Sequence, residues 1–136
     1  MTGPLVRRLV LAIAVITIAT GLVQALAPAF MLRIIGGEAT PTSAHFFGIV
    51  GMFMVLFGGA LWQGMRQPVP DLTVLLWTGL QKLGASIAVG LGVAHAIFSP
   101  LALALAVAGF DLLSAALILA TWNAYRAHGA PARAAA

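Results

Sequence analysis

Polar residues are scarce along this chain, and their positions divide it. Between them lie four apolar stretches, at about 5–26, 44–63, 72–97 and 101–122. A hydrocarbon core of roughly 30 Å needs about 20 helical residues to cross it. Each stretch meets that length. None alternates polar and apolar positions as a barrel strand would, so the pattern predicts four membrane-crossing helices. The interruptions read as helix ends. Ser99-Pro100 offers an N-cap and an N1 proline to the fourth helix and makes spans three and four a tight hairpin. Asp71, after Pro68 and Pro70, is placed to cap the third. Between spans one and two, Pro28 opens an apolar run that Gly36-Gly37 closes, which predicts a short helix lying in the interface, then a Thr/Pro/Ser turn. The expected fold is an all-α integral membrane four-helix bundle, antiparallel and up-down-up-down. The four-span domain covers residues 1–126, with a disordered cytoplasmic tail at 127–136.

Each span carries one stripe of small or polar residues, expected to face the bundle interior. On the first these are Ala14, Thr17, Gly21 and Gln24. On the second they are His45, Gly48, Met52, Val55, Gly59 and Trp62. The third offers Gly84, Ala88 and Gly92, flanked by Gln81 and His95, and the fourth Ala104, Ala108, Asp111, Ser114 and Ala115. Small residues four apart let helix backbones approach closely, which is how helices associate where lipid provides no hydrophobic gain.

Composition strengthens the membrane reading. Hydrophobic residues make up 62% of the 136 and charged residues 7%, against roughly 45–50% and about 25% in soluble domains. The net charge of +4 comes from scattered cations with no basic stripe, so no nucleic-acid partner is expected. There is no cysteine, which excludes disulfides, thiolate metal sites and cysteine nucleophiles. Arg7, Arg8, Arg66, Arg126 and Arg133 would share one side of an even-numbered bundle, leaving Arg33, partly offset by Glu38, on the other. The positive-inside rule then puts both termini in the cytoplasm. Trp62, Trp77, Trp122 and Tyr125 fall at that same face. Arg7-Arg8 and Ala25-Leu26-Ala27 mimic a secretory signal, but Pro28 just after the cut disfavours cleavage, so the first span is expected to be retained.

Two groups of residues could carry chemistry. Lys82 and Asp111 lie well inside their spans, where a charge costs at least about 2.5–3.5 kcal/mol on insertion scales. Mutual pairing, a polar pathway, or protonation of Asp111 would each offset that cost. Counted from Asp71 and Leu101, the two lie about 16 and 15 Å deep. Counted from the Ser99-Pro100 turn, Lys82 is about 9 Å deeper than Asp111, and Ser86 comes closer to level with the carboxylate. Gln81 and Ser114 flank this pair. The second group is His45, His95 and Gln24, all near the outer face. Two imidazoles could bind haem or a metal, but without carboxylate or thiolate partners they read as interfacial histidines. No metal, cofactor or catalytic residue is therefore assigned. No nucleotide loop, metalloprotease helix or serine elbow is present.

Leu26-Ala27-Pro28 with Ile35-Gly36-Gly37, the glycines of Phe47-Gly48 and Gly58-Gly59, Gly79-Leu80-Gln81-Lys82 and Phe110-Asp111 together resemble the small bacterial four-helix membrane proteins of the DoxX-like kind. That resemblance implies a bacterial inner-membrane protein. Some of those proteins are similar to subunits of quinone-linked oxidoreductases. The sequence leads to a small non-enzymatic membrane protein, either an accessory subunit of a larger complex or a self-assembling bundle whose constant partner is lipid. The alternative is a binding or transport module for an ion, proton or amphipathic ligand such as a quinone, built on Lys82 and Asp111.

Overall fold

The structure is a computed structural model that describes residues 3–98 and 100–129. Its five helices are α1 (Pro4–Leu26), α2 (Pro28–Ile34), α3 (Pro41–Arg66), α4 (Leu72–Ala94) and α5 (Leu101–Gly129), and the described residues contain no strand. Four of them are long and apolar enough to cross a membrane. The fifth, α2, is the short helix expected after Pro28.

Helix boundaries follow local chemistry, and some depart from expectation. Asp71 caps α4, its Oδ1 accepting from the Thr73 and Val74 amides at 2.8 and 3.2 Å. The Thr/Pro/Ser segment expected as a turn is instead the first turn of α3. The Thr40 hydroxyl accepts from the Ser43 amide and Ser43 Oγ from the Thr40 amide, a reciprocal capping box that starts the helix three residues early. Pro100, expected at N1, lies just outside α5, its carbonyl accepting from Leu103 and Ala104. Ser99 lies outside the described residues. At the other end α5 continues to Gly129, three residues into the expected tail. Positions 130–136 lie outside the described residues.

Two helix ends share one geometry. After α2, Gly36 adopts φ 73°, its amide bonding Arg33 O and that of Gly37 bonding Leu32 O. After α4, Ala96 adopts φ 54° while its amide reaches Val93 O and that of Ile97 reaches Gly92 O. Both are Schellman closures, the second with alanine where glycine is usual. This closure ends α4 at Ala94, not at 97, and leaves His95 at the cap.

The helices pack most closely in two pairs. Glycine backbones join α1 to α3. A Cβ added at Gly51 would lie 2.5 Å from the Ala25 nitrogen, and one at Gly58 would lie 3.1 Å from the Ala14 carbonyl. In the second pair, Gly79 of α4 leaves room for Leu119 and Ile118 of α5. An apolar cluster of Val10, Ile13, Ala14, Leu61, Met65, Leu75 and Ile118 joins the two pairs. The outer surfaces of the long helices carry large exposed apolar side chains such as Leu56, Ile87 and Leu113.

The α1 and α5 stripes fall where expected, with Ala14, Thr17, Gly21, Gln24, Asp111, Ser114 and Ala115 buried. Those of α3 and α4 do not. On α3 the buried residues are Gly51, Gly58, Leu61, Gly64 and Met65, whereas Met52 is exposed and Gly59 faces open space. Gly48 and Val55 still touch α1, so the buried face is rotated by about one residue. On α4, Gly92 is buried as expected, but Gly84 and Ala88 are exposed, and the rest of the interior belongs to Leu75, Thr78, Gly79, Lys82 and Ser86.

Candidate functional site

Buried polar side chains gather next to the apolar cluster. Lys82, Thr78 and Ser86 come from α4, Asp111, Ser114 and Thr121 from α5, and Thr17 from α1. At their centre Lys82 Nζ donates to Asp111 Oδ1 at 2.7 Å, with the lysine side chain 2% exposed and the aspartate 10%. The ammonium also lies 5.2 Å from the Phe110 ring centroid, within cation–π range.

Direct contact corrects the offset expected from counting along the chain. Because α4 stops at Ala94, Lys82 is 12 residues before its end, and Asp111 is 10 residues after the start of α5. Two residues amount to about 3 Å of rise, which a lysine stem spans easily. Ser86 is not the neighbour of Asp111. Its hydroxyl donates to the Ala108 carbonyl at 2.9 Å, one turn away along α5. The α4–α5 hairpin is thus stitched by two side-chain bonds at successive turns.

Among the described residues two buried side-chain atoms have no hydrogen-bond partner, Thr17 Oγ1 and Gln81 Oε1. The threonine is the more telling. Thr20 and Thr121 each donate their hydroxyl to the carbonyl four residues back, Ile16 O at 2.8 Å and Leu117 O at 2.7 Å. Thr17 does not. A buried unpaired hydroxyl is costly, and most such groups are satisfied by protein or ordered water.

The second candidate group does not form a site around a shared centre. Gln24 is buried and its Nε2 donates to the Phe47 carbonyl at 3.0 Å, tying α1 to α3. His45 is exposed, packs edge-on to Phe46, and lines an open groove of about 300 Å³ with Ala25, Pro28, Gly48 and Met52. No residue of α4 lines that groove. His95 is exposed at the end of α4, its Nδ1 2.8 Å from the Leu91 carbonyl. Among the described residues no three His, Asp, Glu or Cys side chains could hold a metal together. Sequence reasoning passed over Thr17 as a polar group. Its signal was a hydroxyl in an otherwise apolar face, which a small-residue stripe absorbs without comment.

Comparison with known protein families, with curated proteins and with solved structures finds no match for this chain.

Proposed function

We propose that this chain is a small non-enzymatic integral membrane protein of the bacterial inner membrane, serving as an accessory subunit or assembling with itself. Its four long helices cross the bilayer antiparallel, up-down-up-down, with both termini cytoplasmic. The resemblance to DoxX-like proteins agrees with this reading. So do the apolar exteriors of the helices and the pairing of Gly58 with Ala14 but Gly51 with Ala25, which runs opposite ways along α1 and α3.

The observation that carries a structural role is the Lys82–Asp111 contact, because a paired charge inside the bundle needs no substrate to explain it. Removing one partner of a buried pair costs about 3–5 kcal/mol, while replacing both by apolar residues is often neutral or stabilising. The test is a double-mutant cycle in bicelles with Lys82→Met, Asp111→Leu and the double variant. The structural role expects two large single losses and a double variant near the parent stability. Additive losses within a few tenths of a kcal/mol refute coupling.

A second reading is favoured by the unpaired Thr17 Oγ1 and Gln81 Oε1. On this reading the polar layer is a midplane binding site, and the ion pair is held there for a ligand. Near-parent stability after Asp111→Leu alone would support it over the structural one.

A further inference from the structure

Beside the α1–α3 seam lies an open groove of about 270 Å³, lined by Val15, Ile18, Ala19 and Leu22 of α1 and by Trp62 of α3. Helical residues seven, eleven or fourteen apart share a face, so Arg8 stands on the same face of α1 as Val15, Ala19 and Leu22. On α3, Arg66 follows Trp62 by one turn, its guanidinium 5.6 Å from the centroid of that ring. The two arginines lie beyond the same end of the groove. Arg7 donates to the Gln67 carbonyl and Gly58 approaches Ala14. Trp62 and Arg66, between Gly58 and Gln67, therefore come level with α1 between Ala14 and Arg7. The groove has apolar walls and a cation from each helix at one end.

Neither cation has an anionic partner. Arg8 and Arg66 are both exposed, and among the described residues the only ion pair is Lys82–Asp111. The chain has just two other acidic residues, Asp71 and Glu38. Asp71 caps α4, and Glu38 precedes α3, at the far end of that helix from Arg66. We infer that the groove binds an anionic phospholipid, its phosphate between Arg8 and Arg66 and one acyl chain along Val15, Ala19 and Leu22. This rests on the membrane-crossing reading above and adds the lipid class and its place on the bundle.

Length and charge decide the occupant. From Arg8 to Leu22 is about 21 Å of helix, which spans a head group and the chain region of one leaflet in a core of roughly 30 Å. On the proposed orientation this is the cytoplasmic leaflet. A guanidinium stacked on an indole uses its flat face there and keeps its N–H edge for phosphate, which arginine grips as a planar fork. A zwitterionic head would bring a cation of its own toward Arg8 and Arg66, where the chain supplies no carboxylate to receive it. An anionic head brings none.

The test is photo-crosslinking of the full chain in phosphatidylcholine nanodiscs with a phosphatidylglycerol that carries a diazirine in its acyl chain, mapped by mass spectrometry. Diazirine forms of phosphatidylcholine and palmitic acid serve as comparison probes. The expected result is saturable labelling at Val15, Ala19 and Leu22 that excess unlabelled phosphatidylglycerol removes. Labelling at Leu113, exposed on α5, should rise in proportion to probe. Arg8→Gln and Arg66→Gln should each weaken saturable capture roughly tenfold, the worth of one charge-assisted hydrogen bond, at an unchanged melting temperature. Arg33→Gln, an exposed cation on α2, should leave capture as it was. Ala19→Phe, which fills the groove away from the arginines, should abolish it. Capture by either comparison probe at least as strong as by phosphatidylglycerol, or full capture by the Arg8→Gln/Arg66→Gln variant, overturns the anionic phospholipid. If no probe saturates while Leu113 is still labelled in proportion, the lipid site falls and the membrane-crossing reading stands. If Leu113 is unlabelled as well, that reading falls too.

Discussion

Gly51 and Gly59 lie on the same helix, two turns apart, and should respond to alanine in opposite ways. At Gly51 the added Cβ would meet the Ala25 nitrogen at 2.5 Å, the Gly21 carbonyl oxygen at 2.8 Å and the Gln24 carbonyl carbon at 2.9 Å. All three are backbone atoms, so no side chain can swing aside. Ordinary contact begins at 3.4 Å, so α1 and α3 must separate by about 0.9 Å there. A gap of that size forfeits up to about half the dispersion well of every atom pair across the seam. Overpacking costs about 1–3 kcal/mol, and a clash with backbone alone belongs at the top of that range. Alanine's better helix propensity returns up to about 1 kcal/mol. The net expectation for Gly51→Ala is a loss of about 2 kcal/mol. At Gly59 nothing lies within 4 Å, so only the propensity gain of up to about 1 kcal/mol remains. Unfolding by denaturing detergent in mixed micelles, followed by circular dichroism, measures both. Equal effects from the two substitutions, or stabilisation by Gly51→Ala, would refute the α1–α3 seam as described.

Three further outcomes are expected. With no native cysteine to remove, an impermeant thiol reagent applied from outside should label Ala39→Cys but not Gln67→Cys; the reverse pattern inverts the proposed orientation. Intact-mass measurement should find α1 still attached, because it contributes Val10, Ile13 and Ala14 to the apolar cluster; a mature chain starting at Pro28 would remove that support. Ala96→Gly should stabilise the fold by about 1 kcal/mol, since an L-residue with a side chain is disfavoured at φ 54°; no gain would mean that the α4 closure does not hold alanine in the left-handed region.

What could be read from the chain differs by helix, and the apolar outer faces of the long helices are the reason. On α1 and α5 the small and polar residues occupy one face, so a stripe of Ala14, Thr17 and Gly21, or of Asp111, Ser114 and Ala115, identifies the interior. On α3 and α4 glycines occupy more than one face, as Gly58 beside Gly59 and Gly84 opposite Lys82 illustrate. A soluble helix would resolve that ambiguity through its polar outer side. A helix whose outside is Leu, Ile and Phe has no such contrast, and only the shape of its neighbour decides which glycine is used. Gly58 is used because Ala14 and Ile18 approach it; nothing approaches Gly59.

The same limit governed the polar layer. The depths of Lys82 and Asp111 were readable to within a turn or two, but their contact depended on where α4 ends. That end is set by an alanine in a conformation usually given to glycine. Gly36-Gly37 advertises the matching closure after α2, whereas Ala96 advertises nothing. Moving the helix end from 97 to Ala94 brings a misaligned pair into bonding range, so one strained residue about 14 positions from Lys82 fixes its partner. The place of that polar layer then follows from packing. α4 and α5 are stitched by the Lys82–Asp111 and Ser86–Ala108 bonds, and α1 and α3 meet through bare backbone. Two such units are joined by the apolar cluster that Val10, Ile13, Leu61, Leu75 and Ile118 build between them. Thr17 is buried at the same level without a hydrogen bond to its hydroxyl, whereas Thr121 satisfies its own on the Leu117 carbonyl one turn back.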